Sequence, residues 1–439
     1  MNKFEKSKRI VSLPGYSKSL PSKMYSGYMN VAKDKYIFYI FVEAEKNPED
    51  APLLFWTNGG PGCSGLIGFF EEMGPLKMRE KGKLEENKYA WTKLANMVFV
   101  EQPAGVGFSV GTSKNSLKTN DFTAAKNNLS FVQEWYETYP EFKKNKMFLC
   151  SESYGGHYTP LWADEIMKFN KEAKAGEKIP LKGYFIGNPY VNYTSGWDDQ
   201  VQTFWGHQRL SKKLWNKYKK RGCVNANRKK WTKKRCQTLS YELIDSVGKV
   251  NPYAISYPMC LKDQHIKLVS TMTKKNKTKK VKYNPCVDKF TEKYLNKKSV
   301  QKSLNVTSKR RIKWEACSNK IKYSMANQWL STVPYIDSHL GGVGPDDLRV
   351  MIMSGTNDSI CGTVGTQNWI STLKNIRKTK DEWKQYFVDS QPSGYIAKYK
   401  GKKGKKFDFV TVNGAGHEVP EYKPKEAFYV VKKFLDDKL

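Results

Sequence analysis

Apolar and polar positions change period repeatedly along this chain, and the changes mark out elements. Residues 36–42, 52–57 and 97–100 are short apolar runs separated by Gly-rich turns, which predicts strands. Between residues 121 and 139, Phe122, Ala125, Leu129, Val132, Trp135 and Tyr136 recur at helical spacing and predict an amphipathic helix. Residues 146–150 then form another buried run, and 156–170 a second helical pattern. Strands alternating with helices predict a mostly parallel sheet.

From about residue 190 to 333 the texture differs. Basic runs at 217–221, 228–235 and 274–282 separate short aromatic segments, and five of the eight cysteines lie here. The chain therefore divides into an α/β core over residues 1–190, an inserted, disulfide-stapled cap over 191–333, and the rest of the core over 334–439. In that last part, residues 349–353 and 407–412 are strand-like, 426–435 helical, and the Gly/Lys tract at 398–406 is expected to be an exposed hairpin loop. No internal repeat is present.

Length and composition narrow the class. A chain of 439 residues suits one large α/β core with an insertion. Its 12 Trp and 26 Tyr speak against disorder, although apolar residues make up only 39%. A net charge of +34 would attract polyanions. The charge is nevertheless mostly lysine and scattered, the pattern of solvated faces, and no zinc-finger, RNA-recognition or helix-turn-helix signature accompanies it. Nucleic acid is not an expected partner.

The eight cysteines include no CxxC pair, which argues against zinc ribbons and redox motifs and for disulfides in an oxidising compartment. Sequons at Asn128, Asn192, Asn276, Asn305 and Asn357 are compatible with the same compartment. No stretch approaches about 18 apolar residues, so no membrane span is expected. Residues 1–9 are polar with no signal-like apolar region, which leaves a mature end or a cytosolic protein as expectations. The cysteines favour the first.

Candidate chemistry begins at Ser153. Met147-Phe-Leu-Cys-Ser-Glu-Ser-Tyr-Gly-Gly-His runs strand, sharp turn, helix, the nucleophile elbow of the α/β-hydrolase fold, with Ser151 where the pattern usually has glycine. A serine needs a base. Of the five histidines, His417 follows an apolar strand in Asn413-Gly-Ala-Gly-His, whereas His157 sits in the helix after Ser153 and reads as a packed residue. Asp358, after the strand at 350–353, completes the order Ser, Asp, His typical of such hydrolases. Asn58-Gly-Gly-Pro-Gly-Cys-Ser follows another strand and lacks the Lys and Ser/Thr of a phosphate loop. Its Gly60 amide and the Tyr154 amide are the candidate oxyanion donors.

Taken together, Ile10-Val-Ser-Leu-Pro-Gly, Tyr25-Ser-Gly-Tyr, Asn58-Gly-Gly-Pro-Gly-Cys-Ser, residues 95–109, Glu152-Ser-Tyr-Gly-Gly-His-Tyr, Gly355-Thr-Asn-Asp and Gly414-Ala-Gly-His-Glu-Val-Pro resemble the serine carboxypeptidase family. The resemblance spans nearly the whole chain, in family order. It implies an α/β-hydrolase that releases C-terminal residues from peptides and proteins through an acyl-enzyme, with Ser153, Asp358 and His417 as its triad.

The same resemblance implies that Asn58, the Gly59 amide, Glu72 and Glu152 bind the substrate's terminal carboxylate. It also implies disulfides Cys63–Cys317, Cys223–Cys236 and Cys260–Cys286, with Cys150 and Cys361 free. Neither cofactor nor metal is implied. A monomer or homodimer in the secretory pathway, secreted or in a vacuole or lysosome, is expected. Thr356-Asn357 before Asp358 departs from the family's frequent pattern without removing a catalytic group.

Rival readings are an acyltransferase or hydroxynitrile lyase of the same fold, and an inactive basic binder. Glu152 favours peptide hydrolysis over acyl transfer, because related acyltransferases often carry Asp there. The intact triad set speaks against the binder. By the same resemblance Glu72 faces Glu152 across the carboxylate pocket, and that crowding predicts a protonated carboxyl and an acidic pH optimum. Glu71 and Glu418 raise the expectation of acidic subsites that accept basic side chains.

Overall fold

The apolar runs become strands because they are packed on both faces. In Lys35–Val42, Ile37, Tyr39 and Phe41 enter one core cluster while Phe38, Ile40 and Val42 enter the other, and all are fully buried. A strand covered on both sides needs no polar alternation. The structure, a computed structural model, describes residues 4–192, 194–226, 235–261, 283–306, 312–324, 326, 330–380 and 382–439. The basic run at 274–282, the run at 228–235 except Arg235, and the sequon at Asn276 lie outside the described residues.

Among the described residues the main sheet has 13 strands. Its middle runs Asn96–Val100, Leu53–Thr57, Met147–Glu152, Leu181–Gly187, Arg349–Gly355 and Lys406–Val412, each parallel to the next. Antiparallel strands flank it, Met24–Ala32 and Lys35–Val42 on one side and Gln391–Lys400 on the other. Loops leaving the carboxyl ends of the parallel strands therefore meet along one edge, where open α/β sheets bind ligands.

The sequence pattern missed Leu181–Gly187, although it lies in the middle of the sheet. Lys182 and Gly183 interrupt its apolar run. Gly183 is required there, since a Cβ would strike the carbonyl oxygen of Arg349 on the neighbouring strand.

Helix Asp121–Thr138 is capped by Asn120, whose side chain accepts from the Thr123 amide at 2.9 Å. Ala125, Val132, Trp135 and Tyr136 are buried as the spacing predicts, but Phe122 is 42% exposed. Asp121 turns inward instead, and its neighbour on the first turn is thereby rotated out. Helix Gly155–Glu172 contains Pro160, which has no N–H to offer the Gly156 carbonyl. That carbonyl accepts from Thr332 Oγ1 at 2.6 Å, so nothing is left unpaired.

Helices Thr194–Gly206, Lys212–Lys220 and Arg235–Ser246 gather around their own apolar cluster, which includes Val201, Phe204, Tyr218, Leu239 and Leu243. Cys223–Cys236 staples this unit, and Cys260–Cys286 is a second disulfide within the insertion. Tyr294, Leu295, Val300, Leu304 and Trp314 then pack back into the main core. The third disulfide, Cys63–Cys317, ties that returning segment to the glycine-rich loop after Leu53–Thr57. Cys150 and Cys361 are free and buried.

The Gly/Lys tract is a hairpin between Gln391–Lys400 and Lys406–Val412, but it is not wholly exposed. Lys405 is buried, and its ammonium donates to the carbonyls of Val343, Gly344 and Pro345 at 3.0, 3.3 and 2.5 Å, which replace its water. Two sequons are also inside the fold. Asn128 and Asn357 are buried, with side-chain amides donating to Gln102 Oε1 and the Gly414 carbonyl, an arrangement incompatible with an attached glycan.

Candidate active site

Strand Met147–Glu152 ends two residues later than the sequence pattern suggests and runs directly into Ser153. Ser153 has φ of +58°, a left-handed conformation that strains a residue with a Cβ. The turn is pinned by its backbone. Ser153 N donates to the Gly187 carbonyl at 3.0 Å, and its own carbonyl accepts from Gly156 N at 2.9 Å and Tyr190 N at 2.8 Å. Ser151, in the usual glycine position, is buried with its hydroxyl 2.6 Å from Thr159 Oγ1. Room for it comes from Gly155, where any Cβ would collide with that hydroxyl.

His417 is brought to the same edge by Lys406–Val412, and Asp358 by Arg349–Gly355. His417 Nδ1 stands 2.6 Å from Asp358 Oδ2, with both side chains buried. Its Nε2 is buried and has no hydrogen-bond partner among the described residues, so this nitrogen is left to act on a neighbouring group. Burial opposes a charge on His417, but Asp358 outweighs it and carries the imidazole up to about 9, with help from Glu418 and Glu72.

Asp358 is itself held by Asn188 Nδ2 at 2.8 Å, Ile360 N at 2.8 Å and Cys361 N at 3.2 Å. Asn188 was missed from the sequence. It follows the overlooked strand Leu181–Gly187 with φ of +38°, and an Asn directly after a strand at the carboxyl edge was the available signal.

Asn58, Glu72 and Glu152 come together as a buried trio. Asn58 Nδ2 donates to Glu72 Oε1 and to Glu152 Oε1, both at 2.8 Å. The amide cannot flip, because its Oδ1 accepts from Trp56 Nε1 at 2.8 Å and Gly68 N at 3.2 Å. Burial, reinforced by the charge of Glu418, raises Glu72 to about 8. Burial and then Glu72 push Glu152 well above the usual carboxylate range. The two buried carboxyls converge on the one Asn58 amide, and their mutual repulsion favours a proton on at least one of them.

Glu418 is raised by desolvation to about 7 and acts on both of these groups and on His417. Glu71 is buried but turns to Asp288 and Thr291 on helix Val287–Leu295 rather than toward Ser153.

The glycine-rich loop fits against the elbow with no room to spare. A Cβ on Gly59 would lie 2.5 Å from the Tyr154 amide nitrogen and 2.7 Å from Ser153 Cβ. Gly60, with φ of +114°, follows immediately and leads into a cis bond to Pro61. Gly59 thus stands against Ser153 and the Tyr154 amide across two facing loops, with Gly60 next in the chain. His157 takes another place: it is buried with Nδ1 3.1 Å from Asp121 Oδ2.

Comparison with known proteins yields one family. A family model described as serine carboxypeptidase matches residues 14–437. Serine carboxypeptidase 24 of Arabidopsis thaliana is 34% identical, with 98% of this chain and 92% of the relative covered. Serine carboxypeptidase-like 26 of Oryza sativa subsp. japonica is 32% identical, covering 97% and 89%. A crystal structure of a prohormone-processing carboxypeptidase from Saccharomyces cerevisiae superposes with a TM-score of 0.73 at 22% identity, over 97% of this chain and 94% of that one. The fold is accordingly the α/β-hydrolase fold.

Proposed function

This chain belongs to the serine carboxypeptidase family and is a hydrolase of that class, and we propose that it removes C-terminal residues from peptides through an acyl-enzyme on Ser153, working best at acidic pH. In this reading Asn58, the Gly59 amide and a protonated Glu72 or Glu152 hold the terminal carboxylate of the substrate. Ser153 Oγ attacks the last peptide carbonyl while its proton passes to His417 Nε2. Asp358 keeps the imidazole in the Nδ1–H tautomer and stabilises the imidazolium. The oxyanion takes hydrogen bonds from the Gly60 and Tyr154 amides. As the tetrahedral adduct collapses, His417 returns the proton to the leaving amine, and the freed C-terminal amino acid departs. Water then repeats the attack on the ester with His417 again as base, releasing the shortened peptide and restoring Ser153.

The observation that carries this reading is the carboxyl pair bridged by Asn58. An esterase has no use for two buried carboxyls crowded beside its nucleophile. A carboxypeptidase does, because a neutral carboxyl can donate a hydrogen bond to a substrate carboxylate. The pair favours acid through binding: below about pH 7 Glu72 and its neighbour Glu418 are largely protonated, so a neutral carboxyl is there to donate to the substrate, whereas His417 as a base gains from higher pH. The three disulfides support a place in an oxidising compartment, the secretory pathway with secretion or a vacuole as end point.

The test is timed digestion of a peptide library at acidic and neutral pH, read by mass spectrometry. Stepwise loss from C-termini, faster in acid, is expected. Internal cleavage, or no dependence on a free C-terminus, would overturn the proposal.

A further inference from the structure

Behind the elbow lies a buried carboxylate that the proposed reaction does not use. Asp121 is the first residue of helix Asp121–Thr138 and is 2% exposed. Its Oδ1 accepts from Tyr154 Oη at 3.0 Å and from Tyr323 Oη at 2.6 Å, and its Oδ2 lies 3.1 Å from His157 Nδ1. The three partners come from separate places: the elbow itself, the two-residue strand Lys322–Tyr323 beyond Cys317, and helix Gly155–Glu172. The helix N-terminus offers favourable partial charge to the carboxylate.

The connections lead to both sides of the proposed oxyanion hole. On one side, Tyr154 supplies an amide donor, and its ring is held at the hydroxyl by Asp121 and along its face by the stacked His157 ring, 4.7 Å away at 11°. On the other side, the Tyr323 ring packs edge-on against Tyr158, centroids 6.3 Å apart, and the Tyr158 hydroxyl accepts from Gly62 N at 3.1 Å. Gly62 lies two residues from Gly60 in the loop that carries the second donor, and Cys63–Cys317 fastens that loop to the segment preceding Tyr323. Packing alone does not call for a charge at this place, because apolar side chains of similar volume commonly stabilise a core as well as a buried ion does.

We infer that Asp121 is a positioning residue: it sets the spacing of the two oxyanion donors by tying Tyr154 directly, and the Gly60 loop through Tyr323 and Tyr158, to one fixed carboxylate. This rests on the proposed catalytic role of Ser153 and of the Gly60 and Tyr154 amides. An oxyanion hole works through donors already in place when charge develops on the substrate oxygen, so a small shift of either donor weakens the transition state more than the bound substrate.

Three variants test it. Tyr154→Phe and Tyr323→Phe each remove one hydroxyl while keeping ring and backbone amide, and Asp121→Asn removes the charge. For each, kcat and KM are measured on a blocked dipeptide, together with the inhibition constants of a peptide aldehyde, which forms a tetrahedral adduct on the serine, and of the product acid. Fluorophosphonate titration counts the competent sites. The expected result is a fall in kcat of roughly 10- to 100-fold, a matching loss of aldehyde affinity, and unchanged KM and product inhibition. If Asp121→Asn does not fold, the two Phe variants decide.

Wild-type kcat and aldehyde affinity in the folded variants, or a change confined to KM, would overturn the inference. Ser153→Ala, assayed alongside, separates the two levels. Activity surviving in Ser153→Ala removes the catalytic reading itself, whereas an inactive Ser153→Ala beside unaffected tyrosine variants removes only the role of Asp121.

Discussion

Asn188 donates its side-chain amide to Asp358 Oδ2 at 2.8 Å while its own Oδ1 accepts from Gly355 N at 3.0 Å. One side chain thus joins the end of Leu181–Gly187 to the end of Arg349–Gly355 and fixes the carboxylate that faces His417. Hydrogen bonds to a buried charged group are worth about 1.5–3 kcal/mol. Asn188→Ala should therefore lower kcat by roughly 10- to 100-fold with little change in KM. A less compensated Asp358 attracts the imidazolium more strongly, so the rising limb of the kcat profile should move to higher pH. An unshifted limb with full kcat would count against this role.

Ser153→Ala and His417→Ala should abolish peptidase turnover and leave the fold intact, because Ser153 contributes only a hydroxyl and Asp358 keeps its three other donors without the imidazole. Asp358→Asn should cost about 10⁴ in kcat, by analogy with other triads. Circular dichroism establishes folding, and stopped assays over long times set the limit on turnover. Near-wild-type rates in any folded variant would remove that residue from the mechanism.

The carboxyl pair should show in KM. With Glu418 near 7 and Glu72 near 8, the cluster is largely protonated in acid and gains negative charge as the pH passes that range. KM for substrates with a free C-terminal carboxylate should rise from about pH 6 to 9, while C-terminally amidated peptides should lose less. The double variant Glu72→Gln, Glu152→Gln should flatten the free-acid profile. Identical KM profiles for free-acid and amidated substrates would exclude the mechanism.

Glu418 directly follows His417 and interacts with Glu72 and Glu152, which puts a titrating carboxyl close to the departing residue. Turnover of peptides ending in Lys or Arg, relative to Leu, should increase as Glu418 ionises through about 7. Glu418→Gln should remove that increase. Glu71 should have no such effect, since it faces Asp288. A Lys-to-Leu ratio independent of pH in the wild-type protein would sink the idea.

Stability should fall as pH rises. Glu72, Glu101 and Glu418 have folded-state values of about 8, 7 and 7, all raised by burial above an ordinary value of 4.5. In this interval the folded state binds more protons than the unfolded one. Their stabilising contribution is therefore complete below about 4.5 and lost as the pH climbs to 7–8. His417, raised to about 9, acts in the same direction. Calorimetry from pH 5 to 8 should show Tm declining by several degrees, less steeply in Glu72→Gln. A rising Tm over this range would contradict the burial of these groups.

Much of this protein was legible in its order of residues. Continuous apolar runs identified the strands at 36–42 and 97–100 because two-sided burial leaves no polar positions. Ser153, Asp358 and His417 stood out because each follows a strand in a short Gly- or Ser-rich turn, a local feature. The pattern passed over Leu181–Gly187, where a lysine and a glycine break the run, and Asn188 beyond it, because the need for both comes from strands distant in the chain, Gly183 lying beside Arg349 and Leu181 beside Met147. Phe122 and Lys405 were misjudged for a related reason: Asp121 turns the first helical turn, and three distant carbonyls solvate the ammonium. Local sequence marked out the candidate groups for chemistry. Only the tertiary structure decided which carboxyls crowd together, which amide bridges them and which tyrosines meet at Asp121, because those relations depend on contacts between segments that chain order leaves unspecified.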